Sequence, residues 1–142
     1  MNLSLTGERL IKSFESLRLT AYQDQKGIWT CGWGHTGRDV VEGTTCDAAL
    51  AETWFQMDTA AAVAGVNHTV RIPISQNEFD ALASFTFNVG VGNEAHSTLV
   101  TYVNQSNFSA AGAEFPKWDH INGVPNAGLL RRRMAEQSLF LA

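Results

Sequence analysis

The chain has 142 residues but only two cysteines, Cys31 and Cys46, too few for a disulfide scaffold and without the spacing of a zinc site. Both are expected to pack as small hydrophobes; a bridge between them stays open, because sequence separation says nothing about Cβ geometry. No apolar run approaches the roughly 18 to 20 residues that span a bilayer, and no charged-then-apolar signal segment opens the chain. The expectation is a soluble protein with no stable membrane insertion. Positive charge is also scarce: ten Lys and Arg against fourteen Asp and Glu give a formal charge of −4, which disfavours nucleic acid as the main ligand. Repeats, linkers and low-complexity stretches are missing too.

What is present is 44% hydrophobic residues in short dispersed runs, enough for one domain over residues 1–142 with a core and a cleft. Leu10, Ile11, Phe14 and Leu17 recur at helical spacing and predict a first amphipathic helix from Thr6 to Leu17. Leu19 to Tyr22 and Ile28 to Trp33 flank Asp24-Gln25-Lys26-Gly27 and read as a β-hairpin. A long alanine-rich helix follows, with Thr45 as expected N-cap and Asp47 in its first turn. Ser75 to Glu78 is a capping box opening a buried helix that Gly90 and Gly92 end. Shorter helices around Thr98 to Asn104 and Phe108 to Phe115, a Gly123 to Pro125 turn, and a last helix capped by Asn126 complete the reading. The class is α+β: a hairpin lobe over about residues 18–45, a helical lobe over 46–142 plus the first helix, and a cleft between them.

Hydrolysis of a glycosidic bond needs a carboxylic acid to protonate the leaving oxygen and a second group to handle water or the developing positive charge. Glu15, beside Phe14 and Leu17, is a candidate acid. Asp24 in the hairpin turn and Thr30 on the return strand could orient a water molecule. On spacing alone each also has a plain reading: an exposed helix-end Glu, a turn Asp, a strand Thr. Arg131, Arg132 and Arg133 form the one basic run, readable as a local basic cluster or as a solvated helix face near Glu136.

Phe14 to Asp24, continued by Gly27, Thr30, Gly32, Gly34, His35, Thr36 and Gly37, resembles the signature of the phage lysozymes, glycoside hydrolase family 24. That pattern of Glu, eight residues, Asp, five residues, Thr falls on Glu15, Asp24 and Thr30 without a gap. The resemblance continues through Gln76 to Leu82, Ser84 to Gly90, Glu114 to Trp118, and Gly128-Leu129 with Arg132, Arg133 and Glu136. Cys31 stands where an Ile is common and Trp33 where a Tyr is common, so local hairpin packing is expected to differ.

The resemblance implies a lysozyme-like fold and an endo-acting muramidase that hydrolyses the β-1,4 bond between N-acetylmuramic acid and N-acetylglucosamine. Glu15 would be the acid, and Asp24 with Thr30 would place the water, without metal or cofactor. Inversion at the anomeric carbon, usual in the family, would require the carboxyl groups to stand about 6.5 to 9.5 Å apart. His35 would support the site, Asn88 would hydrogen-bond a sugar, and one of Arg132 and Arg133 would pair with Glu15. The partner would be peptidoglycan glycan strands, met by a monomer made in the host cytoplasm and released through a holin to the periplasm or wall. Two rivals stand beside this reading: a lytic transglycosylase giving 1,6-anhydro products, against which Asp24 and Thr30 argue, and a catalytically idle wall-binding module.

Overall fold

The computed structural model describes all residues, Met1 to Ala142. Helix α1 (Leu5–Phe14) starts at the N-cap Ser4, whose side chain accepts from Gly7 N. The same serine bonds Asp80, a fully buried residue of helix α3 (Gln76–Val89), through both its amide and its hydroxyl. This anchors α1 across the middle of the molecule. The helix ends at Phe14 rather than Leu17: Glu15 is the C-cap with extended backbone (φ −103°, ψ 100°), Leu17 is exposed, and Arg18 already belongs to strand β1.

Strands β1 (Arg18–Gln23) and β2 (Trp29–Gly32) pair antiparallel, with Tyr22 opposite Thr30 and Gln23 opposite Trp29. Asp24 builds the turn itself: its Oδ1 accepts from the Lys26 and Ile28 amides at 2.8 and 2.9 Å, and Gly27 takes φ +78°. Residues 44–46 lie along β1, with Ala21 N bonded to Thr44 O and Cys46 N to Leu19 O. Thr45 is therefore bridged to Thr20 and does not cap the next helix. Asp47 does, accepting from Leu50 N at 2.8 Å.

Helix α2 (Ala48–Thr69) has 22 residues, about 33 Å of rise, and connects the two lobes. Trp54 near its start joins Cys31 and Val40 in the small core of the hairpin lobe; Val66 near its end joins the main core. That main core surrounds α3, where the capping box Ser75/Glu78 is fully formed and every residue from Phe79 to Thr86 is buried. Phe85 meets Phe115 edge-on at 5.6 Å and Trp118 at 5.2 Å, and Phe140 closes the cluster from the last helix.

After Gly90 (φ +93°) the chain enters a short helix α4 (Val91–Ala95), which the sequence hides because Gly90 precedes it and Gly92 lies within it. Helices α5 (Thr98–Asn104) and α6 (Phe108–Glu114) match expectation. The expected turn at Gly123 is the tip of a second, two-residue hairpin, β3 (His120–Ile121) with β4 (Val124–Pro125). Asn126 then caps α7 (Ala127–Phe140), which packs along α3. The architecture is a mixed helical fold with small antiparallel hairpins and a lysozyme-like division into lobes. No helix is long and apolar enough to cross a membrane, and no cluster of three His, Cys, Asp or Glu side chains is placed to hold a metal ion.

Cys31 and Cys46 are free thiols with their sulfurs 3.5 Å apart under the hairpin. Burial, reinforced by the neighbouring Cys31, pushes the Cys46 thiol up to about 11, which withholds the reactive thiolate. Iodoacetamide at pH near 8 should therefore alkylate Cys46 ~100-fold more slowly in the folded protein than in urea. Equal rates would mean that the hairpin lobe does not bury this pair.

Candidate active site

The C-terminus of α1, the first hairpin and the N-terminal half of α7 enclose a cleft of about 650 Å³ lined by Glu15, Tyr22, Asp24, Thr30, Asn88 and Arg132 among others. The structure thus brings together five of the seven residues singled out from sequence. His35 and Arg133 lie outside the lining. Across the mouth, Asn126 Nδ2 donates to Gln25 Oε1 at 2.6 Å, so the hairpin turn touches the cap of α7.

Glu15 is held from both sides. A negative side chain at a helix C-terminus is opposed by the helix dipole, and Arg132 supplies the compensation: its Nη1 donates to Glu15 Oε1 at 2.7 Å, with the two side chains 5% and 17% exposed. On the other side stands Gly34 at φ +81°, where a β-carbon would lie only 2.8 Å from the Glu15 Cδ. Position 34 therefore requires glycine both for its backbone and for the room the carboxyl needs.

In the same lining, Asp24 has Oδ1 committed to the turn amides, while Oδ2 has no protein partner. Thr30 is 4% exposed, and its hydroxyl donates to Ile28 O at 2.9 Å. With that proton committed, Thr30 Oγ1 can only accept from a molecule in the cleft. Tyr22, directly opposite Thr30 in the ladder, stacks under the Arg18 guanidinium at 4.3 Å. Burial, then the negative Glu15, raises its hydroxyl above the ordinary tyrosine value. Sequence reading passed over Tyr22, although its place two residues before Asp24 on an alternating strand puts both on one face.

The arginine run divides. Arg131 is exposed at the cleft, whereas Arg132 and Arg133 are buried, at 4% and 0% exposure, so the solvated-face reading fails for both. Arg132 is the partner of Glu15. Arg133 reaches the other way: its Nη2 donates to Asn88 Oδ1 at 2.8 Å, which turns the Asn88 NH₂ toward hydrogen-bond acceptors in the cleft. Between the guanidiniums sits Glu136, fully buried, with Arg133 Nε at 2.9 Å, Arg132 Nε at 3.4 Å and the Ser84 hydroxyl donating at 2.8 Å. Burial pushes the Glu136 carboxyl up against the pull of both arginines, and burial lowers Arg133 to about 10. Lys26, Arg131 and Arg132 line the cleft with Glu15 and Asp24, so the lining carries more positive than negative side chains although the chain is acidic.

His35 belongs to a different construction. It is 8% exposed, stacks on Trp54 at 4.5 Å, and places Nδ1 2.8 Å from Asp58 and Nε2 2.9 Å from Asp39. Both ring nitrogens facing carboxylates calls for the doubly protonated ring. Burial opposes that charge, but the hydrogen bonds to Asp39 and Asp58 outweigh it and the pKa rises above 6.5. His35 thereby ties the hairpin lobe to α2.

A raised folded-state pKa contributes stability that is complete below the unfolded value of 6.5 and is lost as pH rises through the folded value. The urea midpoint should accordingly fall as pH rises above about 6, and His35→Asn should be less stable at the acid end and lose that slope; an unchanged slope would remove the ion-paired imidazolium. Gly34→Ala should cost about 1–3 kcal/mol of stability through its strained backbone and its clash with the Glu15 carboxyl, read as a lower urea midpoint; an unchanged midpoint would remove the close packing of Glu15 on position 34.

The model of the phage lysozyme family matches residues 12–136. The chain is 42% identical over 142 residues to the endolysin of Bacillus phage PZA, an alignment covering 99% of this chain and 55% of that protein, so it spans little more than half of that relative. It is 40% identical to the endolysin of Acyrthosiphon pisum secondary endosymbiont phage 1, over 99% and 98% of the two chains. Among solved structures, the muramidase domain of SpmX from Asticaccaulis excentricus superposes with a TM-score of 0.89 at 39% identity, covering 99% of this chain and 98% of that one. With the match running from the last turn of α1 to Glu136 in α7, the chain belongs to the phage lysozyme family.

Proposed function

We propose that this chain is an endolysin-type muramidase of glycoside hydrolase family 24, cutting the β-1,4 bond between N-acetylmuramic acid and N-acetylglucosamine by an inverting hydrolysis. The observation that supports the reading is that Glu15, Asp24 and Thr30 line one cleft. A sugar polymer lying along it would put its scissile oxygen beside Glu15. The protonated Glu15 delivers its proton to that oxygen as the bond to the anomeric carbon breaks.

The nucleophile is a water held between Asp24 Oδ2 and Thr30 Oγ1, the two acceptors left free on the opposite wall. Donating one hydrogen to each leaves a lone pair for the anomeric carbon. As the new C–O bond forms, the proton shared with Asp24 passes to that carboxylate, and charge balances the proton released by Glu15. Arg132 keeps Glu15 aimed into the cleft, while the Asn88 amide offers donors to a sugar hydroxyl or acetamido oxygen. The names of the relatives support this substrate: endolysins in the sequence comparison, a muramidase domain in the structural one.

A lytic transglycosylase would use the muramic acid 6-hydroxyl in place of water and would have no use for a second acceptor pair, so Asp24 and Thr30 favour hydrolysis. In this reading the protein works as a monomer, reaches the wall through a holin, and needs neither metal nor cofactor.

Digestion of purified peptidoglycan should release fragments with hydrated muramic acid reducing ends. Glu15→Gln should bind the wall but release none, and Asp24→Asn should lower the rate by at least about 100-fold, the scale of a lost acid or base. Anhydro ends would assign a transglycosylase, and equal lysis by wild type and Glu15→Gln would remove Glu15 as the acid.

A further inference from the structure

Glu136 has no contact with the cleft, yet both side chains that aim the site's polar groups end on it. Arg132 connects Glu136 Oε1 (3.4 Å from Nε) to Glu15 Oε1 (2.7 Å from Nη1). Arg133 connects Glu136 Oε2 (2.9 Å from Nε) to Asn88 Oδ1 (2.8 Å from Nη2). The two routes leave one helix, α7, and reach opposite sides of the reaction: the acid at the end of α1, and the amide in the last turn of α3. We infer that Glu136 is a positioning residue that sets the acid and the sugar-binding amide together, so that losing it damages catalysis and substrate binding at once.

The physical case rests on how few acceptors the two guanidiniums have. Both are buried, and Arg132 Nη2, Arg133 Nη1 and Arg133 Nε make no hydrogen bond even with Glu136 in place; Arg133 Nε meets Glu136 Oε2 as an ion pair, and the Arg133 hydrogen bond to Glu136 runs from Nη2 to Oε1 at 3.3 Å. A buried guanidinium without a compensating carboxylate seeks another acceptor or water. Without Glu136, Arg132 would have Glu15 as its only carboxylate, and Arg133 would have only the Asn88 amide oxygen and the ring of Phe85, 5.2 Å away. Either side chain can then leave its present rotamer, taking Glu15 or Asn88 with it. Ser84, on the face of α3 that meets α7, fixes which way the Glu136 carboxylate points by donating to Oε1 at 2.8 Å. The two arginines repel each other across adjacent positions, and a carboxylate between them offsets that repulsion and gives both arms a common anchor.

This inference rests on the muramidase reading, and the test separates the two. Wild type, Glu136→Gln, Asn88→Ala and the double variant are compared on soluble uncross-linked peptidoglycan strands, with new reducing ends as the rate and with product mass spectrometry. If wild type yields no muramic acid reducing ends, the muramidase reading fails. If it does, Glu136→Gln should lower kcat by about 10-fold or more and also raise KM severalfold. In the Asn88→Ala background the same substitution should still lower kcat but no longer raise KM, since the amide it positions is gone.

A purely structural Glu136 would lower the urea midpoint while leaving kcat and KM of the folded enzyme unchanged, or would change KM equally in both backgrounds; either overturns the inference. Should Glu136→Gln not fold, Ser84→Ala, which leaves all three charges and removes only the hydroxyl that orients Glu136, should show the same split in weaker form, and an unchanged kcat and KM there would equally overturn it.

Discussion

The placement of Glu15 and Asn88 in the cleft hangs on one buried carboxylate set between two buried arginines. Glu136 lets α7 bring two positive charges into the interior, where isolated guanidiniums would be strongly destabilising. A buried ion cluster of this kind is a poor source of stability, because well-packed apolar side chains would serve the core as well. What it supplies is direction. A guanidinium has donors in a fixed plane, so a carboxylate gripping one edge dictates where the other edge points. For Arg132 that direction is Glu15, whereas Arg133 shares one nitrogen, Nη2, between Glu136 and Asn88, so the carboxylate and the amide are held at one point.

The rest of the fold brings the other wall to the same place. Helix α3 receives the start of α1 through Ser4 and Asp80, so the far end of α1, where Glu15 sits, has a fixed address relative to α7. The hairpin lobe has only a three-residue core of its own, Cys31, Val40 and Trp54, and depends on α2 and on the His35 ion pairs to keep its orientation. Its turn is stiffened from within by Asp24, whose first oxygen serves the backbone and whose second faces the cleft. One carboxylate thus does the work of a turn residue and stays available for chemistry. Gly34 then lets the chain pass directly against Glu15.

Much of this was legible in the sequence. The capping box at Ser75, the hairpin about Asp24 to Gly27 and the spacing of Glu15, Asp24 and Thr30 are local patterns, and local patterns survive without coordinates. The α+β fold class followed from them. The misses have a common cause. Thr45 reads as a helix cap until its backbone is seen bridged to Thr20. The first helix looks apolar through Leu17, but the chain turns at Glu15 to start a strand whose partner lies beyond the turn. In α7 the buried positions Arg132, Arg133, Glu136 and Phe140 do fall at helical spacing, but three of the four are charged, so hydrophobic periodicity labels that stripe as surface. Which arginine meets Glu15 is settled by a contact 117 residues apart in sequence, and no spacing rule reaches it.

The most direct test of the central claim is hydrogen exchange at the arginine side chains, followed by NMR through the Nε–H resonances of the wild-type protein. Arg132 and Arg133, both buried and ion-paired with Glu136, should exchange far more slowly than the exposed Arg131 beside them, and both should show restricted side-chain motion. Fast exchange and free motion at Arg132 and Arg133 would contradict the account, because they would mean that no buried carboxylate holds the two arms that aim the site.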